Sequence, residues 1–426
     1  MHEALRIAVE GAARNRRRRL DLEAYGLEAC PLEVCALDNL KMLSLVDNDL
    51  QALPDELAAL QGLRVLDLSQ NKFGEVPASV LQLEGLQQLD LEGNELTELP
   101  ASIGRVRHLT RLALEGNRLR ELPTELGELK NLRVLTLGGN PLGSLPPVVL
   151  KLRELRTLTL AYTGLKALPP GIGRLSKLRV LALDGNYLRE LPAEIGRLVN
   201  LKILRLGFVF NEGEIELLPR ELGSLVNLER LDLFNNKVTT LPKEMANMAR
   251  LKSLTLGCNP LGVFPACTCQ MPSLIELGVW SCEISVLPSE IGLLRQLREM
   301  DASRNRLTGL PQEIGLLANL KKLHLDCNQI ETLPVEIGEL SGLQELRLSD
   351  NHLRDLPSSI GQLSELRELP LDGNKLRDLP SELGDLKNLQ VLKLDGNPLR
   401  SPLYEVASRG TEAVLAYLRE RPKSHK

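Results

Sequence analysis

From Leu86 to His108 the chain reads LQQLDLEGNELTELPASIGRVRH, and the same spacing of apolar positions restarts at Leu109. Leu86, Leu89 and Leu91 are followed by Asn94, Leu96, Leu99-Pro100, Ile103 and Val106. Leu89 and Leu91 alternate with Gln88, Asp90 and Glu92, the period of a strand with one buried face. Leu96 and Leu99 bring the chain back inward. Pro100 fixes φ and opens a short helical segment in which Ile103 and Val106 point inward. Asn94 leaves the strand at a tight bend. Its amide is expected to bond the backbone of its own coil and of the next, satisfying buried groups that no ladder reaches.

One turn of this kind cannot bury its own leucines, whereas stacked turns share a continuous core. Strands would then stack in parallel at about 4.8 Å per rung, forming a concave sheet. The strict 23-residue period with L-x-x-L-x-L-x-x-N-x-L resembles that of leucine-rich repeats. The expected fold class is therefore an α/β repeat: a leucine-rich repeat solenoid, or horseshoe. It has a parallel concave β-sheet, short helical or 3-10 convex segments, and helical caps.

In chain order, residues 1–19 predict an N-terminal capping helix with Leu5, Ile7, Ala8, Val9 and Ala12 on its apolar side. Residues 20–400 predict about seventeen turns. The first is incomplete, with Tyr25 in the asparagine place. The ladder then runs Asn48, Asn71, Asn94, Asn117, Asn140, Thr163 and Asn186, and later from Asn236 to Asn397 with Cys282 substituting once. Between them the phrase breaks step. Val209 takes the asparagine slot and Leu218-Pro219 arrives four residues late, an insertion near 207–217. Pro370 falls mid-strand and should remove one ladder donor. Residues 401–426 predict a closing helix through Val406, Ala413, Val414, Tyr417 and Leu418. No linker or low-complexity tract interrupts the chain, so no second domain is expected.

A length of 426 residues would by itself suggest two or three domains, but a solenoid grows by stacking. A net charge of -4 argues against a general nucleic-acid binder. No apolar run reaches the length of a membrane span, and the N-terminus lacks a signal-peptide pattern. Seven cysteines without a clustered framework, and no N-x-[ST] sequon, predict a reduced, intracellular (cytoplasmic) setting. The basic run of Arg14 and Arg16–Arg19 reads as a solvated cap surface, with targeting, lipid or acidic-partner roles as alternatives.

Catalytic chemistry finds little support. No phosphate loop, G-x-S-x-G, H-E-x-x-H or kinase H-R-D is present, so neither enzyme activity nor a cofactor or metal is expected. Cys267 and Cys269 are too tightly spaced for the usual zinc pattern. Cys282 needs only to be small where asparagine usually stands. His324 shares a column with Asp301 and Arg347, close to Asp326. Acid-base or metal work is conceivable there, and a charge ladder across strands accounts for the same residues.

The stronger signal lies at the third, fifth, seventh and eighth positions of L-x-x-L-x-L-x-x-N, which face the concave side. Most carry small or charged residues. In the middle of the array Tyr162, Phe208, Phe234 and Trp280 take them, with Arg205, Arg230 and Asp232 among them. Rigid aromatics and arginine are what interface hot spots use, so these seven residues are the candidate partner-binding site. Phe208 and Phe210 have a second reading, as plugs for the insertion. Asn211–Glu216 would bulge beside the cluster as a rim or a passive insertion. Toward the C-terminus the face turns acidic, from Glu276, Glu299 and Asp301 to Asp395. That charge could steer a basic partner or be a solvated face.

The turns LPTELGELKNLRVLTLGGN (122–140) and LPAEIGRLVNLKILRL (191–206) resemble the Ras-group intracellular leucine-rich repeat proteins. The segment NPLRSPLYEVASRGTEAVLAYLRERP resembles the end of the repeat region of Roco proteins, without their GTPase motifs. The resemblance implies a protein-protein interaction module or signalling scaffold. The expected partner is a protein, with no nucleic acid, and the chain is expected to be a monomer. Regulation of a small GTPase of the Ras type is the alternative function. The long tail with a phosphatase-docking motif carried by the Ras-pathway scaffold has no counterpart here.

Overall fold

The computed structural model describes residues 3–209 and 213–422. The chain divides into two compact units, Met1–Leu206 and Gly207–Lys426. The boundary falls where the repeat phrase breaks step.

The first unit opens with a helix, Glu3–Arg14. Its buried Leu5, Val9 and Ala12 recur at helical spacing and cover the first strand, Arg19–Asp21. Among its described residues nine three-residue strands follow one another in parallel, from Arg19–Asp21 to Ile203–Arg205. The register repeats the sequence period: Leu20 stands beside Leu43, Leu66 beside Leu89, and Leu181 beside Leu204. Between strands the chain makes one short helical segment, an α-helical turn at Leu32–Cys35 and 3-10 thereafter. Ala101–Arg105 is representative: extended Pro100 precedes it and Ile103 is fully buried.

Among its described residues the second unit carries eight such strands, from Arg230–Asp232 to Val391–Lys393. Pro370 has the effect its missing N–H dictates. Strands Glu345–Arg347 and Glu368–Pro370 pair only at Glu345–Glu368, where neighbouring pairs hold three positions. Two helices, Leu403–Ala407 and Thr411–Arg419, close the unit. Buried Val414, Leu415 and Leu418 pack there, and the Arg419 Nε donates to the Gly384 carbonyl at 2.7 Å. Arg421 grips Asp378 with two bonds of 2.7 and 2.8 Å. Among the described residues no helix is long and apolar enough to cross a membrane.

The asparagines tie turns together, but backward rather than forward. Asn94 Nδ2 donates to Leu91 in its own turn and to Leu68 in the preceding one, at 3.1 and 3.0 Å. Its Oδ1 accepts the N–H of Phe73, also in the preceding turn, at 3.0 Å. The expected bond to the following coil is thus corrected. The following coil's own asparagine reaches back, Asn117 donating to Leu91 at 2.9 Å. The substitutes preserve part of this pattern. Thr163 Oγ1 donates to Leu160, and the Cys282 thiol to Leu256. Burial pushes the Cys282 thiol up to about 12, so it stays protonated and able to donate.

Just before each ladder residue the backbone turns left-handed. Glycine fills the place at Gly93, Gly116, Gly139 and Gly185, and other residues accept the strain, among them Tyr162 with φ 56° and Asn235 with φ 55°. Among the described residues Phe208 holds the equivalent place without a positive φ.

Candidate functional site

The seven partner-site residues separate by unit. Tyr162 and Arg205 belong to the first. Phe208, Arg230, Asp232, Phe234 and Trp280 belong to the second.

In the first unit, Tyr162 is 40% exposed, because its left-handed backbone aims the side chain out of the turn. A Cβ added at Gly185 would fall on its ring, so the tyrosine lies across a glycine in the next turn. Its N–H donates to the Asp184 carbonyl at 2.8 Å. The Asp184 side chain is only 6% exposed, and the Arg205 Nε approaches its Oδ2 to 3.1 Å. Tyr162, Asp184 and Arg205 thus stand on three successive turns.

In the second unit, Phe208 is 4% exposed. A side chain already packed presents no surface, so Phe208 is removed from the partner site. The reason is local. With Val209 in place of asparagine and the backbone out of the left-handed region, nothing turns the ring outward. Its backbone remains in the ladder, its N–H donating to Phe234 at 3.0 Å and its carbonyl accepting from Asn235 at 2.9 Å. Ile215, 2% exposed, takes up the core position four residues late. Phe210 and the start of the expected rim, Asn211 and Glu212, lie outside the described residues.

Phe234 and Trp280 come together although one strand, Ser253–Thr255, lies between theirs. Their ring centroids are 5.6 Å apart and the planes tilt by 32°, within the range of favourable aromatic pairs. The turn between them carries Gly257 at the matching place. A Cβ built there, or on Gly278, would collide with the indole. The indole therefore lies across two glycines to reach the phenylalanine, and remains partly exposed. Asp232 holds the start of the bend, its carboxylate accepting the Phe234 N–H at 2.9 Å. Arg230, at the head of the same strand, is exposed.

Beyond Trp280 the face is charged. Lys322 Nζ meets Glu299 at 3.0 Å. His324 Nδ1 stands 3.9 Å from Asp301, a distance at which attraction is electrostatic rather than a formed hydrogen bond. Its Nε2 is 3.1 Å from Glu345 but off the axis of a hydrogen bond, and Arg347 bonds the same carboxylate oxygen. Asp301 is the main cause of a raised His324 pKa, Glu345 adds to it, and burial works against it. Burial likewise opposes ionisation of Asp301, but His324 and Ser303 outweigh it and leave that carboxyl below its usual range. This is a charge ladder. Among the described residues no group of three His, Cys, Asp or Glu side chains is placed to hold a metal.

The ladder carries a pH signature. A histidine whose folded pKa is raised contributes stability fully below its unfolded value near 6.5, and loses it as pH rises through the folded value. The stability difference between the wild type and His324→Gln, from urea midpoints, should therefore be larger at pH 5.5 than at pH 8.5, about 1 unit below and 2 above the free histidine value. A difference independent of pH would remove the ion pair from the account.

A model of the leucine-rich repeat region matches residues 17–113, 57–136, 149–261 and 312–402. The chain belongs to the leucine-rich repeat proteins. A leucine-rich repeat protein of Leptospira interrogans is 35% identical, with TM-score 0.79, over 94% of this chain and 96% of that one. A TDR receptor is 29% identical, with TM-score 0.75, over 92% of this chain and 70% of its own. InlJ of Listeria monocytogenes, at 20% identity, covers 83% and 73% of the two chains with TM-score 0.66, and shares the fold. No curated protein sequence matches.

For this leucine-rich repeat protein, sequence reasoning missed the glycines. Gly257 and Gly278 occupy exposed-face positions one turn before and two residues before the tryptophan. The only signal was the absence of a side chain beside a large one, which is visible once the turns are aligned.

Proposed function

We propose that this leucine-rich repeat protein is a non-enzymatic binding module, a scaffold in signalling, that holds a protein partner on the strand face of its second unit. The observation that carries the reading is the Phe234–Trp280 pair, stacked on a charged sheet face over a glycine floor. Partly exposed aromatic area on a rigid framework is costly unless something covers it, and such residues dominate interface energies. Arg230 and Asp232 flank the pair, and Tyr162 and Arg205 are the proposed partner-binding residues of the first unit. The test is affinity capture from a lysate of the source organism, comparing the wild type with Phe234→Ala/Trp280→Ala after circular dichroism has shown both fold. A hot-spot pair predicts loss of a specific partner, corresponding to about 2 kcal/mol or more. Equal capture by both proteins would sink the assignment.

Regulation of a small GTPase is a second reading, supported by the resemblance of turns 122–140 and 191–206 to Ras-group proteins. Capture of GTP-loaded against GDP-loaded GTPases decides it, and equal or absent capture removes it.

A further inference from the structure

Beside Trp280 the strand face of the second unit holds a depression of about 230 Å³, between strands Ser253–Thr255 and Lys322–His324. Pockets for small molecules run about 300–1,000 Å³, so this space suits one side chain. It exists because Ser253 stands between Arg230 and Glu276, and Gly278 between Thr255 and Asp301, each small beside larger residues in register. Leu277 and Met300 line it although their side chains are packed into the core, 2% and 1% exposed, and the partly exposed indole forms one wall.

The rim is negative. Glu276 stands in register with Glu299, and Gly278 with Asp301, on the next strand. Like charges directly opposite one another repel. Lys322 pairs with Glu299, and His324 faces Asp301. Glu276 has no ion pair among the described residues.

We propose that this depression receives a lysine or arginine side chain from an extended basic segment of a protein partner. The aliphatic stem lies against the indole, and the cationic head sits among Glu276, Glu299 and Asp301. This rests on the reading of the Phe234–Trp280 face as the partner site and adds the chemistry of what docks there. A basic side chain matches both halves of the pocket, since such residues lay their stems on apolar surface and keep the head among polar groups. The aromatic wall adds attraction for a cation. An apolar side chain would strip water from the carboxylates without replacing it, and an anion would be repelled.

Trp280 is the sole tryptophan of the 426 residues, so its emission reports on the pocket in the intact chain. The probes are capped peptides Ala-Ala-X-Ala-Ala with X as Lys, Arg, Leu or Glu. The Lys and Arg peptides are expected to perturb the emission saturably, the Leu and Glu peptides far less, and added salt to weaken the response. Glu276→Lys is expected to weaken the basic probes by about tenfold or more, while Glu276→Asp stays within about threefold. A response to the Leu peptide alone, or one indifferent to Glu276→Lys, overturns the proposal. If lysate capture depends on Phe234 and Trp280 but no basic probe reaches Trp280, the cationic occupant falls and the binding face stands. If capture ignores both aromatics, the underlying reading falls.

Discussion

Replacing Asn94 with alanine lowers the stability of this leucine-rich repeat protein by about 3 kcal/mol, because three buried backbone groups lose a partner at once. The side chain is buried, and it bonds the carbonyls of Leu68 and Leu91 and the N–H of Phe73. The losses are unequal. Leu68 keeps the amide of Asn71, and Leu91 that of Asn117. The Phe73 N–H has no such second bond and is left in an apolar interior, which costs about 1–3 kcal/mol alone. The remainder is the weakened stacking of two turns, whose shared interface is the source of stability in a repeat array.

The chain's own substitutions predict an order. Asn94→Thr is milder than alanine, since Thr163 shows that a hydroxyl still reaches one carbonyl. Asn94→Asp is worse, because it sets a carboxylate against two carbonyl oxygens. Urea unfolding followed by circular dichroism reads all three. A loss below about 1 kcal/mol for Asn94→Ala would mean that water replaces the amide and the ladder is not a structural tie.

Gly257→Ala is expected to disable the partner face without removing any residue that a partner touches. The new Cβ occupies the space of the indole, so Trp280 must leave the glycine floor and part from Phe234. Overpacking of this kind costs about 1–3 kcal/mol when the neighbour cannot move. Here the neighbour is a partly exposed side chain, so the ring moves and the fold survives. The expected result is a red shift of the tryptophan emission and a loss of partner capture about as large as for Trp280→Ala, tenfold or more. Gly309→Ala, where an added Cβ meets nothing within 4 Å, should change neither. Unchanged emission in Gly257→Ala would show that the indole does not rest there.

The amino-acid sequence by itself determined the repeat. Leu89 and Leu91 recur every 23 residues with alternating polar neighbours, and the strands, their parallel register and the buried asparagines follow from that local rule. It also marked the break at Val209, where no asparagine is available to tie the bend. Burial drives each of these features, and burial repeats, so one turn predicts the next.

The exposed face obeys no such period. Tyr162 and Phe208 hold the same place in the phrase. One is turned outward by a left-handed backbone and the other, without it, is packed. The break at Val209 gave Phe208, unlike Tyr162, a second reading as a plug, but the spelling did not decide between the two. The asparagine amides reach back to the preceding turn, a direction that depends on which side of each bend the neighbouring coil lies. Trp280 meets Phe234 two strands away because two glycines between them leave a floor. Only the tertiary structure decided these three outcomes. Where a side chain on an open sheet comes to rest depends on the size and backbone state of its neighbours across the strands, which are 23 or more residues away in the chain.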